Sequence, residues 1–126
     1  MTFSQTAARR GIPNKPAPRE LDQLIMTCDR MEQVRQLCGN RVIFVSSGYR
    51  SSALNAAIGG VRTSHHMTGH AVDFSVAGLT VPEVFDILKR AHGDKVIRYD
   101  QLINEFGRWI HISFKPPLRG QAFKIG

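Results

Sequence analysis

Two segments of this chain alternate with a period of two residues, and both carry a polar side chain at the centre of the polar side. From Gly69 to Val76, the residues Val72, Phe74 and Val76 fall on one side and Ala71, Asp73 and Ser75 on the other. From Arg108 to Phe114, Ile110, Ile112 and Phe114 alternate with Trp109, His111 and Ser113. That period describes strands with one buried face and one open face. Asp73 and His111 therefore both belong to open faces, over a floor of small residues, Gly69 and Ala71. The run Ser64-His65-His66-Met67-Thr68-Gly69-His70-Ala71-Val72-Asp73 adds His66. Two imidazoles and one carboxylate suit a zinc ion with one coordination position left for water, the arrangement of catalytic rather than structural zinc.

The remaining elements read more simply. Leu21, Leu24, Ile25, Cys28, Met31, Val34 and Cys38 recur at three- and four-residue spacing, predicting a helix from about Pro18 to Leu37 or Cys38 with one buried stripe. Gly39-Asn40 ends it as a left-handed cap. Residues 41–46 read as a buried strand. Ser51 to Ile58 reads as a short helix stopped by Gly59-Gly60, and a further short helix is expected over about 4–10, joined through the stiff, proline-rich stretch from Gly11 to Pro18. Thr80-x-x-Glu83 is a capping box that opens a helix over 81–92, with Val84, Phe85 and Leu88 inward. Helices gathered with strands around one polar face make an α+β domain, and 126 residues predict one domain over 1–126.

Charge narrows the partners. With 17 Lys and Arg against 10 Asp and Glu, the net charge of +7 favours polyanions such as an anionic cell envelope. Nucleic acid is not expected as a partner, because few aromatics interleave with the charges and no recognised motif is present. No apolar run reaches the roughly 20 residues of a membrane-spanning helix. Cys28 and Cys38, ten residues apart on one helix, face different directions and are expected to be two reduced, buried thiols.

Ser64-x-His66-x-x-Gly69-x-Ala71-x-Asp73 followed by Trp109-x-His111 resembles the zinc D-alanyl-D-alanine peptidases of the M15 type, close to the phage and bacterial murein peptidase branch. Ser47-Gly48-Tyr49-Arg50-Ser51 and Leu54-Asn55-x-x-Ile58-Gly59-Gly60 match that branch upstream, so the likeness runs from Ser4 to Ser113. The resemblance implies a Hedgehog/DD-peptidase-like fold with a small antiparallel sheet carrying the zinc site. It implies His66, Asp73 and His111 as ligands of one zinc ion, and Arg50 as the guanidinium facing the scissile carbonyl. Ser64 either orients the site or serves a turn. Tyr49 lines the substrate cleft or packs, and Trp109 shapes the cleft or shields the metal.

The general base departs from the pattern. Many relatives carry a glutamate three residues before the second histidine ligand, and here that residue is Arg108. Glu105 lies six residues before His111, roughly 20 Å along an extended strand. It is the preferred base only if the chain folds back at Phe106-Gly107, which the glycine permits; Asp100 is the alternative. Of the other histidines, His65 and His70 are expected to point away from the metal, and His92 suits a helix C-terminus.

The function expected from the resemblance is a zinc metallopeptidase acting on peptidoglycan stem peptides at a bond involving a D-amino acid, as carboxypeptidase or endopeptidase. Residues 1–10 lack the apolar stretch of an export signal. The expectation is therefore a monomer made in the cytoplasm that acts on periplasmic or cell-wall murein, as a phage lysis enzyme (endolysin) or a virion-carried one. The alternative is a zinc-containing binding module without enzymatic activity, as in the Hedgehog signalling domain, which resembles these peptidases.

Overall fold

The computed structural model describes residues 18–48 and 69–126. Among them are two helices, α1 (Pro18–Leu37) and α2 (Val81–Gly93). Five strands follow as β1 (Ile43–Ser47), β2 (Ala71–Val76), β3 (Gln101–Glu105), β4 (Trp109–Ser113) and β5 (Gln121–Ile125). The short helices expected over 4–10 and 51–58 lie outside the described residues.

The strands form one sheet in the order β1-β2-β4-β3-β5. Four of them pair antiparallel, as anticipated, whereas β5 adds to β3 in parallel. The sheet is thus mixed, and β3 and β5 extend it beyond the strands read from sequence. The fold class is α+β.

Both helices contribute to the same core. Val72 and Phe74 of β2, Leu102 of β3 and Ile110 and Ile112 of β4 are fully buried with Val34 of α1 and Val84 and Leu88 of α2. Burying each such side chain contributes roughly 1.5–3 kcal/mol. The alternating residues Asp73, His111 and Trp109 are left on the opposite face of the sheet, and all three are only partly buried.

Helix α2 begins as its capping box requires. Thr80 accepts from the Glu83 amide at 3.3 Å, and the Thr80 amide donates to the Glu83 carboxylate at 3.1 Å. In the last turn Arg90 and His92 complement the helix dipole, and the His92 ring lies 4.5 Å from that of Tyr99. Helix α1 ends at Gly39 and Asn40, both with positive φ.

Three expectations are corrected. The buried stripe of α1 is Leu24, Thr27, Met31 and Val34, while Leu21 and Ile25 are exposed. Thr27 takes an inward position because its hydroxyl donates to the Gly69 carbonyl at 2.6 Å, satisfying a buried polar group. Cys28 is consequently exposed, and only Cys38 is buried, where burial raises its thiol pKa. Among the described residues strand β1 is an edge strand that pairs with β2 alone, and its Phe44 and Val45 are exposed.

Candidate functional site

Register places the two polar side chains together. Asp73 of β2 is the direct partner of His111 of β4 in an antiparallel pair, so both side chains leave the same face of the sheet. His111 Nδ1 lies 2.9 Å from Asp73 Oδ1, with 12% and 16% of the respective side chains exposed. An imidazole nitrogen and a carboxylate oxygen aimed at one point from adjacent strands are a suitable part of a zinc donor set. The residues fit the metal by that chemistry. Two ligands do not complete such a site, and among the described residues no group of three histidine, cysteine or acidic side chains could hold a metal. His66, the third expected ligand, lies outside the described residues, as do Ser64, Tyr49 and Arg50.

The backbone entering β2 is held from two sides. Gly69 has φ +78°, and a Cβ there would lie 2.9 Å from the Glu20 carbonyl oxygen and 3.3 Å from the Leu24 nitrogen. Helix α1 therefore rests directly on this glycine, three residues after His66 and four before Asp73. On the other side Ser47 of β1 pairs with Asp73 across a bulge between Val45 and Ser47. The Ser46 hydroxyl donates to the Asp73 carbonyl at 3.2 Å.

Glu105 comes to the same face because β3 and β4 form a hairpin. Phe106 and Gly107 have φ of 59° and 67°, the positive values that a type I′ turn requires at both central residues. The Arg108 amide closes the turn on the Glu105 carbonyl at 3.0 Å. A second bond, from the Gly107 amide to Asn104 Oδ1, measures 2.9 Å. Glu105 then pairs with Trp109, while His111 pairs with Ile103. A residue six positions from His111 along the chain thereby becomes its diagonal neighbour, at a Cα separation of roughly 7–8 Å.

Asp100 is committed elsewhere. Its side chain is 2% exposed and accepts Arg119 Nε and Nη2, each at 2.7 Å, and the Arg119 amide at 3.1 Å. A carboxylate held by a forked guanidinium is a poor proton acceptor. This geometry withdraws it as the alternative base. Trp109 lies opposite Glu105 and next to His111 on the same face, and its buried indole Nε1 finds no hydrogen-bond partner among the described residues. His70 immediately precedes β2, with its carbonyl accepting from the Phe114 amide at 2.9 Å.

With this geometry in view, the comparisons are specific. The family profile described as Peptidase M15 matches residues 1–113. The chain belongs to the peptidase M15 family. The zinc D-Ala-D-Ala carboxypeptidase of Streptomyces albus G is 37% identical to it over 49 residues, which is 39% of this chain and 19% of that protein. The matched stretch is thus about a fifth of the relative's length. Asp73 of β2, His111 of β4 and Glu105 of β3 lie on one face of the sheet of this M15 chain. Sequence reasoning missed β3 as a strand, although Glu105-Phe106-Gly107-Arg108 between apolar runs is a hairpin signal.

Proposed function

We propose that this protein is a zinc-dependent peptidase that hydrolyses peptide bonds involving D-amino acids in bacterial cell-wall peptidoglycan. The observation that carries the reading is the Asp73–His111 pair, 2.9 Å apart on a partly buried sheet face, in a chain of the M15 family. Asp73 and His111, with His66, would hold the ion. A zinc ion held there would supply Lewis-acid polarisation of the scissile carbonyl and acidify a water.

The chain's own residues do the rest. Glu105, a diagonal neighbour of His111 on that face, takes the water's proton and delivers it to the departing amine. Arg50, three residues beyond the Ser47 that pairs with Asp73, provides a fixed positive charge for the developing oxyanion. Trp109, directly opposite Glu105 and next to His111 along that face, borders the site and limits access of bulk water. The net charge of +7 attracts the protein to an anionic envelope, an effect that salt weakens.

The test is incubation of the purified, zinc-supplemented protein with peptidoglycan and its stem peptides, with new amino termini read by mass spectrometry. The expected result is cleavage at a D-amino acid that is lost in His111→Ala and in chelator. A second reading, a zinc-binding module without hydrolysis, draws on Arg108 standing where many relatives carry glutamate. One equivalent of bound zinc with no peptide cut across the panel would establish that reading instead.

A further inference from the structure

Helix α2 packs on the face of the sheet opposite Asp73 and His111, and its C-terminal end leaves a cavity of about 600 Å³. The described lining of that cavity is His92, Gly93, Lys95 and Arg98. It carries two permanent cations and an imidazole, and no carboxylate. Asp94, which caps α2 through its amide, is not part of it. Lys95 and Arg98 are exposed, and among the described residues neither makes an ion pair.

The backbone holds one of these cations under strain. The Val96 amide donates to the Ala91 carbonyl at 2.9 Å, and the Lys95 amide donates to the His92 carbonyl at 3.1 Å. This pair of bonds is the Schellman closure of a helix, whose left-handed residue is usually glycine. Here that residue is Lys95, with φ 60°, although its Cβ disfavours the conformation. The helix dipole does not require a lysine there, because Arg90 and His92 already complement it in the last turn. A lysine at a glycine position, on the same cavity as Arg98 and His92, is accounted for by an anionic ligand. The imidazole is fixed as well. Its ring lies 4.5 Å from that of Tyr99, and a Cβ on Gly120 would come within 2.6 Å of its Cε1.

We propose that this cavity is a docking site for the phosphodiester groups of an anionic cell-envelope polymer, separate from the candidate catalytic face. The inference goes beyond the peptidase reading and uses none of the metal-site residues. A planar carboxylate is served by one guanidinium fork, as Asp100 is by Arg119. A tetrahedral phosphate accepts from donors outside one plane, which suits a guanidinium, an ammonium and an imidazole reaching it from three backbone positions. Nucleic acid fits less well, because Tyr99, against which His92 packs, is 1% exposed and offers no face to a base.

Zinc-supplemented, isotope-labelled protein is titrated with a synthetic glycerol phosphate oligomer at several salt concentrations, followed by calorimetry and backbone amide resonances. The expected result is saturable binding that shifts the amides of residues 92–98. Lys95→Gly and Arg98→Gln should each weaken it about three- to tenfold and reduce its salt dependence. His111→Ala should leave it unchanged. Lys95→Gly should melt no lower than the parent, since glycine relieves the helix end.

Binding that survives in the Lys95→Gly, Arg98→Gln double variant would trace to net charge alone and overturn the site. A Lys95→Gly melt well below the parent's, with normal binding by Arg98→Gln, would assign Lys95 to the helix end and overturn it too. Equal binding of a charge-matched polyglutamate would overturn the choice of phosphate. Tighter binding of single-stranded DNA, weakened by the same substitutions, would make the partner nucleic acid instead. Inorganic phosphate saturating the same amides at the oligomer's affinity would reduce the cavity to a small-anion site and overturn the polymer. Oligomer binding as expected in a protein that cuts no peptide would leave the docking site standing and remove the hydrolase reading alone.

Discussion

His111 stands directly opposite Asp73 across β4 and β2, with Nδ1 and Oδ1 2.9 Å apart. A slip of one residue in that register would send one side chain to the core face and the other to the polar face. The pairing of β2 with β4 is therefore what brings two of the three proposed ligands together. If the pair serves zinc, the ion binds the folded chain and not the unfolded one. Free zinc at about a hundred times its Kd then stabilises the fold by about 2.7 kcal/mol. His111→Ala and Asp73→Ala are expected to abolish that gain and to lower bound zinc well below one equivalent. Thermal melts with and without zinc, together with elemental analysis, check this; an undiminished zinc shift in both variants would refute it.

Glu105 and Asp100 make opposite predictions. Glu105→Gln leaves the sheet and the metal pair intact and removes the proton acceptor, so turnover is expected to fall roughly 10²–10⁴-fold with zinc content unchanged. Asp100→Asn breaks a charged fork to Arg119 that closes the start of β3 on the start of β5. Loss of a buried charged pair costs about 3–5 kcal/mol. Arg119 is 45% exposed, however, so solvent screening reduces the expected loss to about 1–3 kcal/mol. Activity per folded molecule should stay near normal in Asp100→Asn. Urea titration paired with peptide hydrolysis separates the two, and the reverse assignment would show as collapsed turnover in a fully folded Asp100→Asn.

Much of this arrangement is legible in the sequence, and the part that is not has a physical reason. The period-two segments place Asp73 and His111 on open faces, and Thr80-x-x-Glu83 marks the start of α2, because both signals are local. Strand β3 hides because Leu102, Ile103 and Asn104 are all buried, which erases the alternation. Strand β5 is five residues whose parallel partner lies twenty positions upstream, and no local pattern encodes that pairing. Thr27 is buried only because the Gly69 carbonyl, 42 residues away, accepts its hydroxyl. The hairpin at Phe106-Gly107 lies between these cases: glycine permits the turn, and the register then decides which face Glu105 joins.

Gly69 and Thr27 provide the third prediction. A side chain at Gly69 would meet the backbone of α1 at 2.9 Å in a conformation that L-residues avoid. Gly69→Ala is therefore expected to cost more than the roughly 1 kcal/mol of an ordinary glycine replacement, with helix α1 pushed away from the start of β2. Thr27→Val keeps the shape and strands the Gly69 carbonyl, for a loss of about 1–3 kcal/mol. Because this contact lies between His66 and Asp73 in the chain, both variants should also weaken zinc binding. Denaturation midpoints and zinc titration test the coupling; a destabilised Thr27→Val with unaltered zinc affinity would show the contact to be structural only.

The capping box gives α2 a defined pH response. The Thr80 amide, bonded to the Glu83 carboxylate at 3.1 Å, holds that carboxyl below its ordinary value of 4.5. A carboxyl with a lower pKa in the folded state contributes stability above the unfolded pKa and loses it as pH falls through the folded value. The contribution should accordingly be complete at neutral pH and decline below about pH 4.5, the ordinary carboxyl value from which the folded pKa is lowered. Glu83→Gln retains an acceptor but cannot titrate, so its stability should fall less steeply than the parent's through that acid window. Thr80→Ala, by contrast, removes the cap at every pH and should cost about 1 kcal/mol throughout. Chemical denaturation at a series of pH values distinguishes them, and parallel acid limbs for the parent and Glu83→Gln would remove Glu83 from the account.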